Sequence, residues 1–299
     1  MTKTPPSLAE ALARIGADID RLFDDLLPIP TDPRARLYQA MRHAAIGGGK
    51  RMRPLLVAAT AAMFDVPRAR ALRVGLAVEC IHVYSLIHDD LPCMDDDDLR
   101  RGKPTVHKAF DESTAILAGD SLHALAFEWL ADPTTHEDAS IRADLIAQLG
   151  RASGPAGMAG GQMMDLMAGR AGLDLDAVTR LQQLKTGALV GFCLEAGAIL
   201  GRVPPDARAN LRDYARDLGL AFQIADDLLD VEGDEARTGK RVGKDGDAGK
   251  ETFVSLLGPG PARARANALV AQAIGHLEPY RDRAELLRAI ARFAVERDH

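Results

Sequence analysis

Two stretches of this chain are apolar around nearly the whole circumference of a helix, and each runs straight into a group of aspartates. The first, Ala69–His88, carries Leu72, Val74, Leu76, Val78, Ile81, Val83, Leu86 and Ile87. A helix without a polar face belongs in the centre of a bundle. It leads directly into Asp89-Asp90-Leu91-Pro92-Cys93-Met94-Asp95, followed by Asp96, Asp97 and Asp98. The second stretch, Leu211–Asp230, has the same character from Leu218 onward and ends in Asp226-Asp227-Leu228-Leu229-Asp230. Carboxylates at the end of a buried helix are costly unless positive charge compensates them. A fold for this chain has to bury both helices and supply that charge.

The rest of the sequence reads as helix. Ala and Leu are abundant, aromatics make up only 4%, and clean period-2 runs of Val, Ile and Thr are missing, which favours helix over strand. Gly and Pro punctuation at Pro28–Pro33, Gly47–Gly49, Asp65–Pro67, Asp132–Asp138, Ser153–Gly157, Gly169–Gly172, Gly201–Pro205, Gly233–Gly249 and Gly258–Pro261 cuts the chain into helix-length pieces. Ser7–Leu27, Arg34–Ile46 and Ala139–Ala152 are examples. With no low-complexity linker and no short repeat, residues 1–299 are expected to form one all-α domain, a bundle of about ten or more helices. The net charge of −6 gives no global basic field, so nucleic acid is not an expected partner. Cys80, Cys93 and Cys193 form no C-x-x-C pair, which argues against zinc and fits a reducing cytoplasm. Met1–Glu10 lacks the apolar core of a signal peptide. No uninterrupted apolar run approaches the ~20 residues of a membrane helix, so no integral membrane segment is expected.

The aspartates carry the chemistry. Asp226 and Asp230, four apart, share a helix face, where like charges repel. Pro92 interrupts the first helix, so Asp95 falls in a turn from which it can fold back toward Asp89. Hard oxygen ligands of this kind suit Mg²⁺, which prefers a few carboxylates together with substrate phosphates. Two facing carboxylate groups therefore imply a diphosphate held between them by metal. Glu79, His82 and Asp89 lie near one stripe of the first helix. Gln223, Asp226, Asp227 and Asp230 do the same on the second.

Basic residues complete the pattern. Gly47-Gly48-Gly49-Lys50-Arg51-Met52-Arg53-Pro54 resembles a phosphate loop, though not a Walker A motif, since Ala44 stands at the first Gly position and Arg51 at the Ser/Thr position. Gly49 allows close backbone approach, and Lys50 and Arg53 can present two cations to one diphosphate. Arg100-Arg101-Gly102-Lys103 can serve either as charge balance for Asp95–Asp98 or as a phosphate site. Lys185-Thr186 sits in an apolar stretch where an unpaired Lys would be costly. Lys240, Lys244 and Lys250 lie in a Gly-rich stretch that reads either as a plain loop or as a lid closing over phosphate.

Taken together, the segments GGGKRMRP, ECIHVYSLIHDDLPCMDDDDLRRGKPTVHK, GGQMMDL, LKTG and FQIADDLLD, with TGK…GK after it, resemble the trans-isoprenyl diphosphate synthases, the family of farnesyl and geranylgeranyl diphosphate synthases. The resemblance runs from about Arg34 to Leu257. It implies an all-α bundle around a deep central cavity, a homodimer, about three Mg²⁺ ions per active site, and isoprenoid diphosphates as the small-molecule substrates. By motif match, Asp89, Asp90, Asp95, Asp226, Asp227 and Asp230 would surround a metal-bound allylic diphosphate, assisted by Arg100, Lys185, Gln223 and Lys240. Gly49, Lys50, Arg53, His82 and Arg101 would hold isopentenyl diphosphate. Thr186 and Gln162 would line the reaction centre, and Lys250 would also bind substrate. The implied reaction is ionisation of the allylic substrate, condensation with isopentenyl diphosphate and loss of a proton, and the sequence contains no nucleophile–base motif.

Four residues separate the first Asp pair from Asp95, the spacing of bacterial-type farnesyl and plant-type geranylgeranyl synthases. Tyr84, five residues before Asp89, resembles the aromatic that floors the tail pocket of farnesyl synthases. Five residues span about 7.5 Å of helix and turn about 140°, so its ring must lean into the cavity. These features favour dimethylallyl and geranyl diphosphates as allylic substrates and farnesyl diphosphate as product. A geranylgeranyl or geranyl synthase is the nearest alternative. A class I terpene cyclase would not need Lys50, Arg53 and His82, and a non-catalytic synthase subunit could lose an Asp motif, whereas both are intact. Two departures from the family pattern are Thr252-Phe253-Val254, where the family often has Thr-Tyr-Pro, and the end Arg297-Asp298-His299, where many members carry a basic tail.

Overall fold

The chain folds almost entirely into helices whose ends coincide with its polar and Gly/Pro punctuation; the computed structural model describes residues 7–168, 172–232 and 251–296. Helix α1 (Leu8–Leu26) opens on a capping box. The Ser7 hydroxyl accepts from the Glu10 N–H, and the Glu10 carboxylate accepts from the Ser7 N–H. Its Ala11, Ile15, Ile19 and Phe23 recur every fourth residue and are all buried. Helices α2 (Ala35–Ala45) and α3 (Met52–Met63) follow, joined through the glycine loop. Helix α4 (Arg68–Asp89) is then central, as its lack of a polar face predicts. It touches α1, α2 and α3, and from the other side α6 (Glu112–Ala131) and α10 (Ala188–Leu200).

Between α4 and α6 lie a two-residue antiparallel pair, β1 (Leu99–Arg100) with β2 (Lys103–Pro104), and the short α5 (Val106–Ala109). Beyond α6 come α7 (Ala139–Ser153), α8 (Met158–Ala168) and α9 (Leu175–Gln182). Helices α6, α7 and α9 are started by Asp111, Asp138 and Asp174, whose carboxylates accept from backbone N–H groups of the first turn. A single π-helical turn, Gln183–Gly187, separates α9 from α10. The last elements are α11 (Ala209–Glu232), α12 (Phe253–Leu257), α13 (Pro259–His276) and α14 (Glu285–Glu296). The break expected over Gly258–Pro261 narrows to Gly258, because Pro259 occupies the first helical position, where a missing N–H costs nothing.

One apolar cluster runs through α1–α8, α10, α11, α13 and α14. A smaller one gathers Val178, Leu220, Ile224, Leu228, Phe253, Val254, Ala262 and Ala266, and Leu269 and Val295 pack against both. Helix α4 and the helical run Leu175–Leu200 are long and apolar enough to cross a membrane, but most of each is buried inside the bundle. Cys80 and Cys193 are buried and Cys93 is exposed, all as free thiols. Lys240, Lys244, Lys250 and the Arg297-Asp298-His299 end lie outside the described residues.

Candidate active site

Helix α4 stops before Pro92, and the chain turns back on itself as the sequence predicts. The Asp95 N–H donates to the Asp89 carbonyl at 2.8 Å, which returns the third aspartate to the end of the helix that carries the first two. Asp89 and Asp90 then diverge in role. Asp90 is buried and takes a forked pair of hydrogen bonds from Arg100, Nε at 2.7 Å and Nη2 at 2.6 Å to its Oδ1. Asp89 faces the cavity and accepts from Gln162 Nε2 at 3.0 Å. Burial, together with the charges of Asp95 and Asp90, holds the Asp89 carboxyl up at about 6 despite Lys185 and Arg100 nearby. Such a carboxylate is short of positive charge.

Three elements bring up the opposite wall. In α8, Gln162 and Asp165 are three apart and share a face; Asp165 accepts from Lys185 Nζ at 2.7 Å. The burial of Lys185 in an apolar stretch is thereby balanced. Lys185 and Thr186 sit in the π-turn, a geometry common at functional positions. A side chain at Gly161 would put its Cβ 2.2 Å from the Lys185 backbone N, so only glycine lets α8 lie this close to the turn. From α11, Gln223 Oε1 accepts from the Thr186 hydroxyl at 3.2 Å, and its Nε2 reaches Asp227 Oδ1 at 3.4 Å. Asp227 Oδ2 also accepts from the Phe253 N–H at 3.0 Å. Asp95, Asp165, Lys185, Gln223 and Asp227 line one hollow of about 200 Å³, so the two aspartate motifs do face each other. Asp226 is exposed on α11, and Asp230 lies one turn further on. Thr252-Phe253-Val254 is the start of a helix: Thr252 caps α12, and Phe253 and Val254 are buried in the smaller core.

The basic loop is divided in two. Arg51, at φ 49° in the left-handed region, turns inward and is 3% exposed. Its guanidinium binds Glu79 Oε1 at 2.8 Å, Asp20 Oδ1 at 2.6 Å and the Ala45 carbonyl. Glu79 is therefore a partner of Arg51 rather than a member of the substrate stripe expected from the sequence. Arg53 faces the cavity beside His82, and its Nε is buried without a hydrogen-bond partner among the described residues. Arg101 lies on the glycine loop: a Cβ at Gly49 would stand 2.5 Å from its Nη1. Burial, then the charges of Arg53, Arg101, Arg100 and Arg51, push His82 well below its ordinary value, so the imidazole is neutral at pH 7. Lys50 is exposed, with its ammonium 5.4 Å over the Phe293 ring of α14. The structure thus gathers Arg53, Arg101 and His82 and leaves Lys50 exposed beside Phe293.

A cavity of about 450 Å³ joins these parts. Its wall includes Arg53 and His82, then Asp89, Gln162, Lys185 and Thr186, then Tyr84, Ser85, His88, Met158, Met163 and Leu166. Tyr84 does lean into it. Asp165 and His88 were not singled out in the sequence, although Asp165 is legible afterwards as the residue three positions beyond Gln162.

The acidic pole has the donor set of a magnesium site. Among the described residues no three carboxylate, imidazole or thiolate groups form a cage, and Mg²⁺ ordinarily takes one or two carboxylates and completes its shell with phosphate oxygens. Asp89, crowded by Asp95 and Asp90 and short of positive charge, fits that arrangement.

Residues 34–290 match the polyprenyl synthetase family. The chain is 45% identical over 277 residues to a farnesyl diphosphate synthase of Escherichia coli (strain K12), covering 91% of this chain and 92% of that one. It is 41% identical to a farnesyl diphosphate synthase of Bacillus subtilis (strain 168), with coverage of 95% and 97%. Among solved structures it resembles an apo protein from Zymomonas mobilis described as an FPP/GFPP synthase, at TM-score 0.88 and 59% identity over 96% of this chain and 98% of that one. With two facing aspartate motifs, a separate cationic pole and a cavity connecting them, and with that match across most of its length, the chain belongs to the polyprenyl synthetase family.

Proposed function

We propose that this protein is a short-chain trans-prenyltransferase that condenses isopentenyl diphosphate with dimethylallyl and then geranyl diphosphate, releasing farnesyl diphosphate. The observation that carries this reading is the mixed lining of the cavity of about 450 Å³. Its wall combines the Arg53 guanidinium beside neutral His82, the acidic, amide and hydroxyl groups of Asp89, Gln162 and Thr186, and an apolar part at Tyr84, Met158 and Leu166. One diphosphate can be bound by cations alone and the other by carboxylate-held metal, with both hydrocarbon parts in the same space.

Asp89 and Asp95 on one side and Asp226 and Asp230 on the other are the residues that would hold Mg²⁺. Asp90 and Asp227, bonded to Arg100 and to the Phe253 N–H, orient those motifs. When bound, the metal supplies charge to the departing diphosphate. Lys185, fixed by Asp165, adds a positioned ammonium for the same anion. As the allylic carbon–oxygen bond breaks, positive charge develops on the tail. The Thr186 hydroxyl donates a hydrogen bond to Gln223 Oε1, which leaves its oxygen lone pairs free to face that charge. The double bond of isopentenyl diphosphate, held at Arg53, Arg101 and neutral His82, then attacks. The proton lost from the new carbon skeleton passes to the released diphosphate. Apolar side chains around the tail keep water from the cation. Lys240 is proposed to bind the allylic diphosphate and Lys250 to bind substrate; both lie outside the described residues. A cytoplasmic homodimer is part of this proposal, supported by the free thiols and by the exposed Ile116 and Leu117 on α6.

The test is incubation with Mg²⁺, dimethylallyl diphosphate and excess isopentenyl diphosphate. Farnesyl diphosphate is expected as the main product. Asp89→Asn and Asp226→Asn are each expected to lower turnover about 100-fold or more, since a metal contributes several kcal/mol to leaving-group stabilisation, with the melting temperature kept. No condensation by the native protein, or near-native turnover in either variant, overturns the reading. A longer final product is the second reading, favoured by the description of the Zymomonas mobilis protein as an FPP/GFPP synthase.

A further inference from the structure

Tyr84 is held from two sides at the cavity wall. On α4, His88 lies one turn further along, edge to face with Tyr84, with ring centroids 5.7 Å apart and planes at 75°. On α6, His123 meets Tyr84 at 5.0 Å and 82°. Phe127, one turn beyond, backs His123 at 5.2 Å and 65°. The rings form a ladder across the α4–α6 interface, and its upper end is pinned. His88 Nε2 is 3.1 Å from the Ile116 carbonyl of α6, and Gly119 provides the notch for it, since a Cβ there would stand 2.1 Å from Nε2. His88 and Tyr84 line the cavity, whereas His123 stands behind Tyr84 and is outside the lining.

The geometry points to His123 as a positioning residue for product length: from α6 it holds the Tyr84 ring in the wall against which the growing tail ends. This rests on the chain-elongating function proposed above. A tyrosine ring has two soft torsions, and an edge-to-face neighbour restricts both. Removing the imidazole leaves a space behind Tyr84 into which the ring can retreat, away from the cavity. Product length is then read by a side chain that never touches the tail.

The experiment compares products of the native protein, Tyr84→Ala, His123→Ala, His123→Phe and the Tyr84→Ala/His123→Ala pair, all with excess isopentenyl diphosphate, alongside melting temperatures. His123→Ala is expected to raise the ratio of longer products to fifteen-carbon product about fivefold, the scale expected for loss of one ring pair. His123→Phe keeps a ring edge against Tyr84 and is expected to stay near the native ratio. In the Tyr84→Ala background, His123→Ala is expected to add nothing. A native spectrum in His123→Ala while Tyr84→Ala elongates overturns the role of His123. A native spectrum in Tyr84→Ala removes instead the reading of Tyr84 as the floor. Should His123→Ala fail to fold, His123→Ser opens the same space behind Tyr84 while keeping a polar side chain, and a native spectrum from it overturns the role equally.

Discussion

Arg51 and Arg53 are two positions apart in one basic loop, and the fold gives them opposite work. Arg51 is an internal tie between the glycine loop, α1 and α4, bonded to both Asp20 and Glu79. Deleting one member of a buried ion pair leaves the other charge uncompensated, at a cost of about 3–5 kcal/mol. Arg51→Ala is therefore expected to lower unfolding free energy by about that amount in urea titrations. Arg53 has a cavity-facing guanidinium whose Nε has no hydrogen-bond partner among the described residues, so the folded protein loses little without it. Arg53→Ala is expected to leave the urea midpoint nearly unchanged and to raise the KM for isopentenyl diphosphate about 10-fold to 100-fold, the scale of a charge-assisted hydrogen bond. A larger effect on the KM of the allylic substrate would move Arg53 to the other subsite. The sequence offered Arg53, with Lys50, as a phosphate ligand and assigned Arg51 no role. The left-handed backbone at Arg51, which turns its side chain inward, gives it one.

At the scale of elements, the site depends on how closely α8 approaches the π-turn. Gln162 and Asp165 reach Asp89 and Lys185 only because Gly161 removes the Cβ between the two backbones. Gly161→Ala must push α8 outward. Overpacking of this kind costs about 1–3 kcal/mol, and a shift of about 1 Å at a catalytic constellation can cost on the order of 100-fold in rate. A lower melting temperature together with a fall in kcat of at least about tenfold is expected. Gly16→Ala is the control. Nothing lies within 4 Å of a Cβ at Gly16 in α1, so helix propensity alone should make that variant more stable by about 0.5–1 kcal/mol at unchanged kcat. Equal behaviour of the two variants would mean that α8 is not seated by contact at Gly161. Most helices were legible from their punctuation, because Ser, Asp, Gly and Pro act locally on helix ends. The π-turn was not, because its extra residue is accommodated by packing against α8 and α11.

For the whole molecule, the two apolar clusters meet through Leu269 and Val295, and α11 joins the second aspartate motif to the main core. Unfolding is therefore expected to be one event. Fluorescence of Trp129, the single tryptophan, which is buried on α6, and far-ultraviolet helicity should share one urea midpoint at fixed protein concentration. Separate midpoints would divide α11–α13 from the rest. The sequence by itself determined the helical class, the centrality of α4, the turn that brings Asp95 back to Asp89, and the aspartate, Arg53, His82 and Lys185 candidates. These follow from periodicity, from proline geometry and from charges too expensive to bury without purpose, which are properties of short stretches of chain; Tyr84 was added by the family resemblance. Tertiary structure alone decided that Glu79 serves Arg51, that Asp165 anchors Lys185, that Lys50 is exposed beside Phe293, and that His88 and His123 flank Tyr84. Each of these depends on contact between helices far apart in sequence, where side-chain direction and interhelical distance, rather than residue type, select the partner.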